Sequence, residues 1–259
     1  MTHENITVVN SIKENWAVLV VFFVAIYLIS RQNLLSGYGT FGFMMLLYYI
    51  VHAYHHHKNN IITMLHKYHH AYNDYFSWYS GILFEFNLTI VVYLFYLLTG
   101  YNIFDGWIIL FYTIYYSSSH NINYAILKVN KVHSLHHKYV HTNLGVDFLD
   151  VAFGTKNTKE TCVENMNHSI PNIIIATIVV LAIKHLYEIN DAVKQYLPFC
   201  LAVCFILVTT FSVISSFYLY FFTVLGEQKK QISSEGKKKK ECKKKCEKED
   251  TEKKIETDI

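Results

Sequence analysis

Residues 39–57, GTFGFMMLLYYIVHAYHHH, run from an apolar segment directly into a group of histidines. The segment Gly39–Val51 contains no charged side chain, and His52 marks its end. Flanking aromatic and small residues extend such a segment toward the roughly 20 residues that cross a bilayer. The stretch therefore predicts a transmembrane helix whose end presents imidazoles at the membrane surface.

Similar apolar runs recur along the whole chain. Of its 259 residues, 52% are hydrophobic and 17% are charged, which is too apolar for one water-soluble domain. We expect six crossings, at Trp16–Ser30, Gly39–Val51, Gly81–Thr99, Gly106–Tyr116, Asn172–Tyr187 and Leu197–Leu225. The predicted fold is an all-α integral membrane protein. It is a transmembrane helix bundle with a four-helix core, an extra C-terminal hairpin and a cytoplasmic histidine-rich helical cap.

Four regions follow from these runs. They are an N-terminal transmembrane hairpin (1–51), a histidine-rich region that includes a second hairpin at 81–119 (52–170), a C-terminal transmembrane hairpin (171–226) and a tail (227–259). The tail holds 12 of the 23 Lys and Arg residues beside 9 of the 20 acids, which predicts a disordered segment. Lysine-rich segments stay in the cytoplasm, so we expect a multi-pass protein with both termini cytoplasmic and every histidine set on that side.

Twelve of the fifteen histidines fall between His52 and His141. Two sets, 66–70 (HKYHH) and 133–137 (HSLHH), follow the pattern HxxHH, which brings imidazoles to one helix face. A third arm pairs His52 with a member of the run His55–His57, where the choice stays open, and His120 follows the fourth apolar run. The candidate metal ligands are His52, His56, His57, His66, His69, His70, His120, His133, His136 and His137.

The ligand type leaves several metals and functions open. Imidazole suits iron, zinc, copper and nickel, whereas a structural zinc site usually includes cysteine, and no cysteine lies inside the histidine region. Two ions held by neutral histidines beside apolar helices suit the oxidation of an unreactive C–H bond of a lipid. A membrane metal transporter and a catalytically inactive lipid-binding scaffold are the alternatives. No nucleic-acid motif occurs.

The residues after the second HxxHH set extend the pattern. They read His141-Thr-Asn143-Leu-Gly145 and, further on, Asp150-Val-Ala-Phe153-Gly154-Thr155. This order resembles the fatty acid hydroxylase and sterol desaturase superfamily, whose members show HxxHH, then Asn-x-Gly, then Asp-x-x-Phe-Gly-Thr. The resemblance runs from about His52 to Thr155.

The resemblance implies a di-iron enzyme of the endoplasmic reticulum membrane, in which these histidines, with His56 and His57 as alternatives, hold two iron ions. Such an enzyme uses O2 and electrons from a cytochrome b5-type donor and its NAD(P)H reductase to hydroxylate or desaturate a lipid. The chain has no His-Pro-Gly-Gly element, so we expect the donor to be a separate protein. A sterol, a sphingoid base, a fatty acyl chain and an alkylglycerol all stay open as substrates.

Four further residues, His141, Asn143, Gly145 and Asp150, are expected to support the ligands. Gly145 would adopt a backbone turn closed to other residues, and Asp150 would orient a ligand histidine. The alternatives are an ordinary turn glycine and a helix-capping or solvent-facing aspartate. We assign no catalytic side chain beyond the metal ligands.

Overall fold

The computed structural model describes residues 6–57, 60–72, 74–99, 103–129, 131–157 and 163–222. All regular structure in these residues is helical, which confirms the all-α prediction. The α-helices are α1 (Val8–Glu14), α2 (Trp16–Ser30), α3 (Leu34–His57), α4 (Met64–Ala71), α5 (Tyr75–Thr99), α6 (Gly106–Ser118), α7 (Val132–Lys138), α8 (Asp147–Phe153), α9 (Ile170–Ile189) and α10 (Asp191–Phe222). A π-helix, Ser119–Ile126, continues α6. The tail at 227–259 lies outside the described residues.

Three described helices are long and apolar enough to cross a membrane, which is consistent with the predicted membrane protein. They are α3, the segment Asn167–Ile189 that contains α9, and α10. A fourth crossing results if α1 and α2, bent by 72° at their junction, count as one span. The predicted total of six is not reached within the described residues. α6 rises only about 20 Å over its 13 residues, and part of the predicted span Gly81–Thr99 has side chains outside the description.

α6 lies at the centre of the bundle, because α2, α3, α5 and α9 all pack against it. Phe22 of α2, Phe111 of α6 and Ile173 of α9 belong to one hydrophobic core, and Met44 of α3 packs with Tyr112 of α6 in a second. α9 therefore shares a hydrophobic core with α2 and α6. Only 6% of the apolar window of α10 is buried.

Several turns meet at one end of the bundle. The Ser36 hydroxyl donates to the carbonyl of Ile103 (3.0 Å), and the Lys184 ammonium donates to the carbonyl of Ile29 (2.7 Å). Asp105 caps α6 by accepting the backbone N–H of Trp107 (2.9 Å). Because α3 and α6 both run away from this end, the histidines at their far ends lie together.

The bend between α1 and α2 is stabilised by Asn15, which is buried. Its side-chain amide donates to the carbonyls of Ser11 (3.0 Å) and Glu164 (2.8 Å), and its oxygen accepts the N–H of Met166 (2.7 Å). α1 packs on α8, where the Ser11 hydroxyl donates to Asp147 (2.6 Å). The N-terminal segment is thereby held against the loops that follow the last histidine set.

Candidate metal centre

The first arm of the site comes from the last turn of α3. His52 and His56 are one helical turn apart, and their ring centroids lie 5.0 Å from each other. Nδ1 of His55 is instead bonded to the carbonyl of Val51 in its own helix (2.7 Å). His57 is exposed, and its ring stacks on His141 at 4.7 Å. Of the run His55–His57, only His56 joins a group of candidate ligands.

The second arm is α4, which carries the first HxxHH set. Asn60 caps the turn before α4 by accepting the backbone N–H of Ile62 (3.0 Å). His66 and His70 are four residues apart and lie together, with ring centroids 4.5 Å apart. His69 turns the other way, and its Nδ1 is held by the carbonyl of Ser77 (3.0 Å), which leaves its Nε2 for a ligand.

The third arm is α7, which carries the second HxxHH set. His133 and His137 lie together, with their Nε2 atoms 2.8 Å apart. Nδ1 of His136 is held by the carbonyl of Thr142 (2.7 Å), and its Nε2 lies 3.0 Å from Nε2 of His52. Each HxxHH set thus sends adjacent histidines in different directions, because neighbouring residues are about 100° apart around a helix.

The fourth arm is the π-helix, which begins directly after α6 and carries His120. π-helices are rare and are frequently found at functional sites. Nδ1 of His120 contacts the carboxylate of Glu85 in α5. The sequence analysis did not identify Glu85, although an acidic residue inside an apolar run is itself a signal of function.

These arms form two groups of four histidines, and within each group the candidate ligand nitrogens lie within 4.8 Å of one another. The first group is His52, His56, His70 and His136, and the second group is His69, His120, His133 and His137. The groups adjoin, since the ring centroids of His70 and His137 are 4.2 Å apart.

Of the ten predicted ligands, eight are in the groups. His66 lies beside the first group, its Nε2 2.9 Å from that of His56, and His57 joins neither.

The chemistry of the two groups fits metal ions. Several buried ring nitrogens have no hydrogen-bond partner among the described residues: Nδ1 of His52 and His66, Nε2 of His69, and both nitrogens of His70. Leaving such groups unpaired costs about 1–3 kcal/mol each, and a metal ion removes that cost for the one nitrogen of a ring that it binds, such as Nε2 of His69. The Nε2–Nε2 distances of 2.8–3.0 Å match the roughly 2.9 Å expected for two nitrogens at right angles about an ion 2.0–2.1 Å away.

The protonation state of these histidines is also the one that metal binding requires. Burial lowers the pKa of His69 and His136 to about 3 and that of His137 to about 4. Burial likewise lowers the pKa of His66, His70 and His133. These imidazoles are therefore neutral at pH 7, which is the form that binds a metal ion.

The loop after α7 contains two of the predicted supporting residues, Asn143 and Gly145. Asn143 takes a left-handed conformation (φ 55°), a backbone region that asparagine tolerates. Gly145 is not in that region, in contrast to the predicted turn role. A Cβ at Gly145 would lie 2.7 Å from the ring of Tyr49, so its glycine is explained by close packing. Gly154, with φ 70°, ends α8.

Asp150 is buried and binds this loop. Its carboxylate accepts the backbone N–H groups of Leu144 (2.8 Å) and Gly145 (3.2 Å) and the hydroxyl of Thr155 (2.7 Å). Burial raises the pKa of Asp150 to about 6. Its described hydrogen bonds reach no histidine, so its support of the site runs through the loop that carries the Thr142 carbonyl.

A cavity of about 80 Å³ opens beside both groups. It is lined by His52 and His136 of the first group and by His120 and His133 of the second. The rest of its wall is rich in aromatic side chains: Tyr48, Tyr49, Tyr112, Tyr115, Tyr116 and Tyr124. An apolar molecule in this cavity would contact both histidine groups.

Comparison of the chain with protein-family models, with curated proteins and with solved structures found no match.

Proposed function

We propose that this protein is a membrane oxidoreductase that holds two iron ions in its two histidine groups and hydroxylates or desaturates a lipid with O2. One observation carries the proposal: two adjoining groups of four buried or half-buried histidines each contribute two members to the wall of the same aromatic cavity. A single structural metal ion would need only one such group. Two ions beside a space for an apolar chain support redox chemistry on that chain.

The histidines of the first and second groups would each hold one ion, with His66 as an additional nitrogen for the first. A bound iron pair would supply the activation of O2. Hydroxylation balances as RH + O2 + 2e⁻ + 2H⁺ → ROH + H2O, and desaturation balances as R–CH2–CH2–R′ + O2 + 2e⁻ + 2H⁺ → R–CH=CH–R′ + 2H2O. The electrons would come from a separate donor protein of the cytochrome b5 type and its NAD(P)H reductase, at the endoplasmic reticulum membrane.

The chain's own residues orient the ligands and shape the cavity. The carbonyls of Ser77 and Thr142 fix His69 and His136 with Nε2 turned inward. Tyr48 is held by its hydroxyl contact with Thr89 (2.7 Å), so its ring stays as part of the cavity wall. These aromatic walls exclude water and place a C–H bond of the lipid beside the histidine groups.

The test is oxidation of membrane lipid under ¹⁸O2. Membranes containing the wild type, a reductant system and ¹⁸O2 should yield a lipid alcohol with one ¹⁸O, or a lipid two hydrogens lighter. His70→Ala and His133→Ala should abolish the product, while His185→Ala, on the exposed face of α9, should retain it. Lipid profiles that do not differ between the wild type and His70→Ala would overturn the proposal. Metal uptake by vesicles that contain the protein, without lipid oxidation, would indicate a metal transporter instead of an oxidoreductase.

A further inference from the structure

Glu85 is a buried carboxylate in an otherwise apolar helix. It is the only charged residue of the run Gly81–Thr99, and it is 1% exposed. A carboxylate in such surroundings is retained only where it is paired. Its Oε1 contacts Nδ1 of His120, and its Oε2 accepts a hydrogen bond from the side-chain amide of Asn121 (3.1 Å). The π-helix turns these two consecutive residues toward the same carboxylate.

The contact determines which nitrogen of His120 is free. Because Nδ1 is occupied by Glu85, Nε2 is the nitrogen left to join the second group. Glu85 belongs to neither group itself. Its position behind His120 is the carboxylate–histidine arrangement that orients metal ligands and makes the imidazole a stronger donor.

The two groups differ in this respect. The described supports of His69 and His136 are neutral backbone carbonyls, from Ser77 and Thr142. His120 is instead supported by an acid, and a negative charge near a cation counts for more in a buried site than in water. The described contacts of Glu85 reach the second group through His120 and do not reach the first.

We propose that Glu85 is a positioning residue: its carboxylate fixes His120 with Nε2 toward the second group, and its charge strengthens that group's hold on a metal ion. This inference rests on the proposed function, in which each group holds one ion. The first group would keep its ion without Glu85.

The test measures iron release from the full-length protein. Metal-free protein in detergent is loaded anaerobically with Fe²⁺, and iron is then withdrawn by an excess of a ferrous chelator. Glu85→Gln should release one of two irons about 10–100-fold faster and leave the other unchanged. Glu188→Gln, on the exposed face of α9, is the matched control. Glu85→Asp keeps the charge but shortens the side chain, and its release rate should lie between those of wild type and Glu85→Gln.

A double mutant separates positioning from general loosening. His120→Ala should speed the release of the same single iron, and adding Glu85→Gln should change nothing further. Two irons released at wild-type rates from Glu85→Gln would overturn the inference and leave the proposed function standing. Faster release of both irons would also overturn it, since that indicates a purely structural role. A wild type that takes up fewer than two irons would overturn the proposed function and this inference with it.

Discussion

At the scale of single residues, a hydrogen bond to Nδ1 of an imidazole leaves Nε2 as the nitrogen that can bind a ligand. His69 and His136 each have Nδ1 bound to a carbonyl, so Nε2 is free to bind a ligand. His55 also has Nδ1 bound to a carbonyl, yet its ring packs against Phe84 at 4.6 Å and lies outside both groups. Among these three supported histidines, the direction of the ring decides which ones are candidate ligands.

The orientation of His69 depends on a glycine. A Cβ at Gly81 would lie 2.9 Å from Nδ1 of His69, so Gly81→Ala should push the ring away from the carbonyl of Ser77. We expect this variant to lose iron from the second group while remaining folded. Gly42→Ala, where a Cβ meets nothing within 4 Å, is the control. Iron per chain by mass spectrometry checks the prediction, and equal iron in both variants would contradict it.

Asp150 should give the protein a specific pH dependence. Its folded pKa of about 6 lies above the ordinary value of 3.8, so the folded state binds the proton more tightly. Stability from this group is therefore present below about pH 4 and is lost as the pH rises to about 6, by roughly 3 kcal/mol. Thermal unfolding of the wild type, measured relative to Asp150→Asn, should shift downward from pH 4 to pH 7. A constant difference between the two proteins would refute the assignment.

At the scale of elements, the spacing of the HxxHH pattern predicts part of the arrangement. It predicts that at least two imidazoles of each set point the same way. Residues four apart do stay together, as His66 with His70 and His133 with His137. The middle histidine of each set points elsewhere. His69 belongs to the second group although His70 belongs to the first, and His136 belongs to the first group although His137 belongs to the second. Spacing indicates which residues share a helix face. Only the packing between helices decides which histidine group each of them joins.

The junction of α1 and α2 depends on Asn15. Asn15→Ala would leave the buried N–H of Met166 and the carbonyl of Glu164 without this partner. We expect the free energy of unfolding to fall by about 3 kcal/mol, measured as a lower midpoint of thermal unfolding. Asn167→Ala, at an exposed position nearby, should change it little. Equal midpoints for the two variants would show that the bend does not depend on Asn15.

At the scale of the whole molecule, the apolar runs predicted a helical membrane protein because hydropathy and length are properties of the chain itself. They could not predict that Gly106–Ser118 is the centre of the bundle, with Ile108 and Phe111 fully buried. The sequence of an apolar run of 10–14 residues does not distinguish a short membrane crossing from a buried core helix. Glu85 was overlooked for a related reason: its role depends on His120, 35 residues away, which only the packing of α5 against α6 reveals.

The arrangement of the bundle predicts that its two ends lie on opposite sides of the membrane. Gln32 lies in the α2–α3 turn at one end, and Lys131 lies beside the second HxxHH set at the other, and both are exposed. In a cysteine-free background, Gln32→Cys and Lys131→Cys should react with a membrane-impermeant maleimide from opposite sides. We expect Lys131→Cys to react from the cytoplasmic side. Labelling of both from one side would contradict this orientation.

The measurement that tests the central claim most directly is the metal content of protein purified anaerobically in detergent. We expect two iron ions per chain in the wild type and in His185→Ala. Loss of a ligand from either group, as in His70→Ala or His133→Ala, should lower the content to one ion or fewer while the protein remains folded. A wild type with no stoichiometric metal, or one whose metal content is unchanged by both substitutions, would contradict the account.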